Sequence, residues 1–398
     1  NTTGTENTSI GQGALRTTTT GNYNSATGNG ALRANTTGSS NVANGVAALF
    51  SNTTASNNTA VGYQAGYANT TGTENVAVGA FSLDTNTTGG HNTAIGTYAL
   101  GDQTTGSSNA AVGRQALKFN TTGSQNTALG REALNRNTTA SNNTAVGYQA
   151  GYSNTTGGSN SAFGRASLFT NTTGIYNVAI GEQALKSNTT ASSNTAVGYR
   201  AGHAGTTGGG NVLIGNDVGF YGTTADNNVA IGNFAMHLNT TADRNVAIGT
   251  SALNQFNVTS NADTYNTAVG GLAMYQTTTG TLNTAIGGQA LQNNTTASNN
   301  TAVGYQAAYS NTTGTENVAV GRLALNQATT ASYNTAIGTN ALQDNTTGAS
   351  NTALGRSALT NNTTASENTA VGYKAGYANT TGVEIVAVGE RALTTNTT

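Results

Sequence analysis

Tyrosines recur in pairs four residues apart, at Tyr63/Tyr67, Tyr148/Tyr152, Tyr305/Tyr309 and Tyr373/Tyr377, with Tyr199/His203 as a fifth pair of rings. Rings repeated along one edge could stack on the apolar faces of sugars, which makes an aromatic ledge for glycans one reading of them. The other is steric. In every pair but Tyr305/Tyr309, a glycine replaces the leucine of other repeats, and a nearby ring would fill the gap from the turn side. A second motif, Asn-Thr-Thr, is also the acceptor sequence for N-linked sugar. It stands at Asn35, Asn52, Asn69, Asn86, Asn120, Asn137, Asn154, Asn171 and Asn188, and in later repeats. Sugar on every repeat would coat the chain; the plainer reading is turn chemistry that produces the sequon by coincidence. Adjacent threonines such as Thr70-Thr71 and Thr121-Thr122 suggest ice binding only on a flat strand face. In a turn they read as a hydrogen-bonded ladder.

Chemistry of other kinds has little to build on. His91, His203 and His237 are far apart in sequence, and no pair of carboxylates recurs at a fixed spacing. Glu132, Glu182, Asp217, Glu316 and Glu390 occupy variable positions that should face solvent. Gly208-Gly-Gly-Asn211 lacks the Lys-Ser/Thr of a phosphate loop, and the nine-residue calcium repeat is missing. There is no cysteine, so thiolate metal sites and disulfides are excluded. Neither an enzyme nor a cofactor or metal is expected, and a polysaccharide-degrading solenoid is only the weakest alternative. A net charge of −1 with 7% charged residues leaves no basic footprint for nucleic acid. No apolar run approaches the about 18 residues of a membrane span.

What must position these residues is a repeat. An asparagine returns every 17 residues from Asn7, giving way to Ile385 in the last coil, and a glycine follows four positions later in all 23 coils, from Gly11 to Gly389. Phase breaks once, through a four-residue insertion within 250–266 around Phe256–Asp263, read as tolerated drift rather than a functional loop. A fixed short period over a whole chain is the signature of a solenoid. The expectation is therefore one continuous repeat domain over 1–398. With coils about 4.8 Å apart, it would form a rod of about 110 Å. The sequence opens and stops mid-coil without polar caps, as a segment of a longer protein would.

Counting each coil from its asparagine as position 1, the pattern runs Asn, Thr/Val, Ala, Val/Ile, Gly, two variable residues, Ala-Leu, two variable, Asn-Thr-Thr-Gly/Ala, two variable. Alanine holds position 3 in 21 of the 23 coils, Ser9 and Leu213 being the exceptions. The β-branched residues at positions 2 and 4 would point to one side of a strand and the alanine to the other. Gly62, Gly79, Gly147, Gly181, Gly304 and Gly389 would end the strand where positive φ or close backbone approach excludes a Cβ. Ala-Leu reads as a second strand. The fold class is thus all-β, a parallel β-solenoid. If the Val/Ile side is the core, the alanine face lies bare, and three intertwined or side-by-side copies would cover it. Thr27 and Asn44, standing where Val or Ile belongs, would loosen coils 2 and 3.

The segments Asn177–Ala184, Asn228–Ala235 and Asn245–Ala252, of the form Asn-Val-Ala-Ile-Gly-x-x-Ala, resemble the head repeats of trimeric autotransporter adhesins of the YadA-like type. Related repeats are similar to those in phage tail-fibre shafts. The resemblance implies a trimeric left-handed β-roll that displays or spaces a binding tip. The 17-residue period is longer than that of the adhesin heads. The reading that follows is the structural shaft of an extracellular, cell-surface or virion-borne fibre for surface attachment, an adhesin or tail fibre. Its partners would be itself, as a homotrimer able to stack end to end, and a host glycan or protein receptor. The alternative is a subunit of an extended, glycosylated matrix filament.

Overall fold

A computed structural model describes residues 2–398; Asn1 lies outside the described residues. The chain divides into two compact units, one ending at Asn194 and one beginning at Thr195. Each is a parallel β-solenoid with one three-residue strand per coil. The first holds eleven strands, from Thr8–Ile10 to Val178–Ile180. The second holds twelve, from Thr195–Val197 to Val386–Val388, plus a two-residue pair, Ala242–Asp243 with Ala262–Asp263. Equivalent residues stand opposite one another: Ala111 faces Ala128 in the first unit and Ala285 faces Ala302 in the second. There is no helix among the described residues.

The two faces of the strand are reversed from the sequence expectation. Position 3 points inward: Ala94, Ala111, Ala285 and Ala302 are fully buried. Positions 2 and 4 point outward, so that Leu129 is 47% exposed and Ile180 42%. Side chains alternate along a strand, so positions 1, 3 and 5 share the inner face. The residues there are Asn, Ala and Gly, a polar ladder group, a methyl and no side chain at all. Where Ala133, Leu134, Asn137 and Ala140 fill the lumen of a coil, no room is left for Val or Ile on this wall; Leu213 fits there only because Gly219 stands in place of the coil's leucine. The alanine face is therefore not bare, and the argument that partner chains must cover it falls. Thr27 and Asn44 likewise sit on the outward side, above fully buried Ala26 and Ala43, and disturb no interior packing.

The expected second strand does not form. Ala-Leu lies in a turn, with the leucine in the left-handed region: φ is 48° at Leu134 and 50° at Leu291. Backbone bonding along the axis continues all the same, Leu134 N–H donating to Ala150 O at 2.9 Å and Arg136 N–H to Tyr152 O at 3.0 Å. Left-handed backbone costs an L-residue roughly 1–2 kcal/mol, and burying a leucine side chain returns about 1.5–3 kcal/mol. The apolar term holds the strained residue in place. It also explains the leucine-to-glycine swaps: Gly66 and Gly151 have φ of 60°, which glycine adopts freely. The space that leucine would use is taken by the preceding coil's leucine, whose Cδ2 lies 2.9 Å from where a Cβ would sit (Leu49 at Gly66, Leu134 at Gly151). No tyrosine ring is needed to fill it.

Two buried asparagine ladders replace much of the usual apolar core. At position 1, Asn143 N–H donates to Asn126 Oδ1 at 3.0 Å, and Asn126 Nδ2 donates to Ala140 O at 2.8 Å. At position 12, Asn137 Nδ2 donates to Asn120 Oδ1 and to Ala140 O, both at 2.9 Å. Buried amides of this kind are tolerable only when fully bonded. The position-12 ladder lapses where its residue changes. Gln103 follows Asn86 and Ala328 follows Asn311, and in both cases the asparagine Oδ1 is left buried without a hydrogen-bond partner. Ala328→Asn should restore the missing donor and raise stability by about 1 kcal/mol. A thermal melt tests this, and an unchanged or lower midpoint counts against a continuous ladder.

The insertion is absorbed without loss of register, since Val246–Ile248 pairs with Thr267–Val269. Phe256 takes the ladder position and is fully buried. The added loop is tied down by Thr241 Oγ1, which donates to Val258 O at 2.7 Å, and by Thr224 Oγ1, which donates to Asn261 Oδ1 at 3.0 Å.

Candidate interaction surfaces

The paired tyrosines fall on two outward columns, one directly after the coil glycine and one four residues further on. Tyr63, Tyr148, Tyr199 and Tyr305 of the first column are between 41% and 51% exposed. Tyr67, Tyr152, Tyr309 and Tyr377 of the second are half-buried, as is Tyr373. Their ring contacts run along the axis: Tyr67 stacks on Phe50 and Tyr152 on Phe169, each at 5.2 Å, while Tyr63 meets Phe81 edge-on. Arginine and lysine cover other faces, with Arg131 over Tyr148 at 5.5 Å and Lys374 over Tyr377 at 5.1 Å. What the structure provides is aromatic-cation columns, in which coil-to-coil neighbours occupy many of the ring faces that a ledge would offer to a sugar.

The densest cluster lies in the second unit. His203, Phe220 and His237 stack in three successive coils, at 4.8 and 5.5 Å. Tyr221 and Phe234 meet His237 edge-on at 5.3 and 5.4 Å. Arg200 lies over both Tyr199 and Phe220, at 4.8 and 4.9 Å. Its guanidinium forks onto Asp217, Nε to Oδ1 at 2.7 Å and Nη2 to Oδ2 at 2.8 Å. That hydrogen bond raises the Arg200 pKa. Asp217 is buried, against the expectation that the acids face solvent, and Glu132 is also largely covered, by Arg131 and Gln149. Phe220, Tyr221, Phe234 and His237 were not singled out by spacing of tyrosines. The signal was in the sequence as a ring at the same coil position in three consecutive repeats.

The sequon asparagines are the position-12 ladder. Asn35, Asn52, Asn69, Asn86, Asn120, Asn137, Asn154, Asn171 and Asn188 are all 0 or 1% exposed. Their Nδ2 atoms face inward onto carbonyls, as Asn52 does onto Ala55 O at 3.0 Å. Glycosylation at these positions is incompatible with the folded coil. The first threonine of each pair bonds onward, as Thr121 Oγ1 does to Thr138 O at 3.0 Å.

The turn glycines hold φ between 123° and 138°, at Gly62, Gly79, Gly147, Gly181, Gly304 and Gly389. At Gly304 a Cβ would lie 2.6 Å from Gly321 O. Gly389 meets no such neighbour and is excluded from substitution by its φ alone.

The Asp84 carboxyl is pushed far from its usual range. Burial raises it from 3.8 to about 6, aided by Asp102 and partly offset by its own backbone hydrogen bond and by Lys118. The folded chain thus holds this proton more tightly than the unfolded one. Its stabilising contribution is full below about pH 4 and is lost as pH rises through about 6. Asp84→Asn should raise the melting midpoint at pH 7 and leave it nearly unchanged at pH 4. Equal shifts at both would show that the carboxyl's charge is not the cause.

Among the described residues no group of three or more His, Asp or Glu is placed to hold a metal ion, and no helix is long and apolar enough to cross a membrane. No protein-family model matches the chain, and no curated protein matches it.

The outward strand face repeats coil after coil within each unit. In each unit position 2 is mostly Thr or Val and position 4 mostly Val, Ile, Leu or Phe, the exceptions being Ser25, Ala110 and Ser161 at the first and Thr27 and Asn44 at the second. Ile95, Leu129, Phe163 and Ile180 mark it in the first unit, and Ile214, Ile286, Ile337 and Leu354 in the second. Exposed apolar patches on monomers rarely exceed a few hundred Å².

Proposed function

We propose that this chain is the structural shaft of a homotrimeric attachment fibre, extracellular or carried on a virion, with no catalytic role. The observation that carries the reading is the outward strand face, a repeated apolar surface that a lone chain leaves in water. In this reading three copies pack these faces together, replacing the alanine contact that the sequence pattern suggested. The bonded asparagine ladders supply stiffness from within. The cluster around His203, Phe220 and His237 is a lateral surface that would meet a host glycan or protein through the exposed rings at its margin, Tyr221 and Phe234. The resemblance of Asn177–Ala184 and its relatives to adhesin-head and tail-fibre repeats points the same way.

Electron microscopy of the purified chain tests this. Particles of one fixed length are expected. Filaments of indefinite length would favour a matrix-fibre subunit instead, and conversion of polysaccharide on incubation would overturn the non-catalytic assignment.

A further inference from the structure

We infer that coils 1 and 2 form a binding site for an anionic saccharide, in a recess between Arg16 and Arg33. The recess has a volume of about 230 Å³ and is lined by Gln12, Gly13, Arg16, Asn29, Gly30 and Arg33. Its origin is legible residue by residue. The seventh position of the coil carries a side chain in every repeat except these two, where Gly13 and Gly30 stand in succession. The left-handed backbone there does not require glycine, because Gln64, Gln115 and Gln149 hold the same position at φ of 54° to 59°. A Cβ at Gly13 would meet nothing within 4 Å. Gly13 thus removes a side chain from the floor of the recess without relieving any clash, while at Gly30 a Cβ would press on the Phe50 ring at 3.2 Å, so that glycine also makes room for the ring beneath Arg33.

Around that floor the groups are of one kind. Arg16 and Arg33 are exposed, and neither has an ion-pair partner among the described residues. Arg33 is steadied by the Phe50 ring, 5.3 Å from its guanidinium carbon. Two guanidiniums one coil apart, roughly 4.8 Å along the axis, can fork onto a single sulfate or carboxylate. The Gln12 and Asn29 amides, linked only by a long 3.4 Å contact, are left to bond neighbouring hydroxyls. The volume falls below the about 300–1,000 Å³ of pockets for drug-sized ligands, so it suits one charged ring. The site lies wholly within two coils of the first unit and does not depend on the fibre reading.

Calorimetry on the full chain tests the site with three probes: a sulfated disaccharide, a uronic-acid disaccharide and sodium sulfate. At least one disaccharide should bind, and more tightly than free sulfate. Arg16→Gln with Arg33→Gln should weaken it about tenfold or more. Gly13→Gln, which keeps every charge and copies a residue native to this position in other coils, should weaken it comparably. Arg322→Gln, at an exposed arginine of the second unit, should leave it unchanged. Absence of heat with both disaccharides overturns the proposal. So does an affinity untouched by Gly13→Gln, or one lowered as much by Arg322→Gln, since either indicates diffuse charge attraction. Free sulfate binding as tightly as the sugars would overturn the saccharide assignment.

Discussion

Asn126→Leu should destabilise the first unit by about 3 kcal/mol or more, although the two side chains share the same branched heavy-atom skeleton. The loss comes from one stranded donor and two weakened acceptors, since Ala140 O keeps Asn137 Nδ2 and Asn109 Oδ1 keeps the backbone N–H of residue 126. Asn143 N–H would lose its acceptor, Ala140 O one of its two amide donors, and Asn109 Oδ1 the contact from Asn126 Nδ2. Each buried polar group left unbonded costs roughly 1–3 kcal/mol. The damage should be local, because a coil in a solenoid contacts only its neighbours. Chemical denaturation should therefore show a broadened or two-step transition, and amide exchange should quicken around residues 109–143. A variant as stable as the parent would mean that the lumen tolerates an apolar column, and that the ladder is incidental to stability.

Gly130→Ala carries the second large effect. Its φ is 135°, a region closed to residues with a side chain, and an added Cβ would sit 2.6 Å from Gly147 O and 2.8 Å from Gly147 C. Backbone cannot swing aside as a flexible side chain can, so the coil spacing itself must open. The expected cost is roughly 3 kcal/mol or more. Gly271→Ala is the matched control. It has no positive φ and nothing within 4 Å of the new methyl, and it should gain about 0.5 kcal/mol by restricting the unfolded chain. Equal losses at both sites would count against close backbone approach at the coil glycine.

The period, the parallel register and the glycine bend were all legible before the structure, because each follows from spacing alone. The direction of the strand was not. Hydrophobicity assigned Val and Ile to the core, whereas the narrow lumen selects for size and bonding capacity. The better signal was near-constancy from coil to coil: Asn, Ala and Gly at alternating positions vary little, while the residues between them range from Thr27 and Asn44 to Phe163. The left-handed leucines were hidden for another reason. Glycine is the usual mark of positive φ, and here burial of a large side chain outweighs it at all but a few coils. In the same way Asn-Thr-Thr read as an outer turn, although its asparagine turns inward and only its threonines remain outside.

For the interaction surfaces, paired tyrosines drew notice because they repeat within a coil. The contacts that formed run between coils, as with Tyr67 on Phe50 and His203 on Phe220. Reading down the columns rather than along the chain would have found Phe220 and His237. It would also have found the consecutive glycines at Gly13 and Gly30.

Light scattering of the wild-type chain beside the double variant Ile180→Lys/Ile286→Lys tests the shaft reading most directly. Both isoleucines are 42% exposed on the outward face, and Asn44 shows that a polar residue is accommodated at that position without loss of the coil. The wild type should have three times the 39.7 kDa chain mass, and the variant should fall to a folded single chain. A wild type that is folded and monomeric, or a variant that remains trimeric, would contradict assembly through this face.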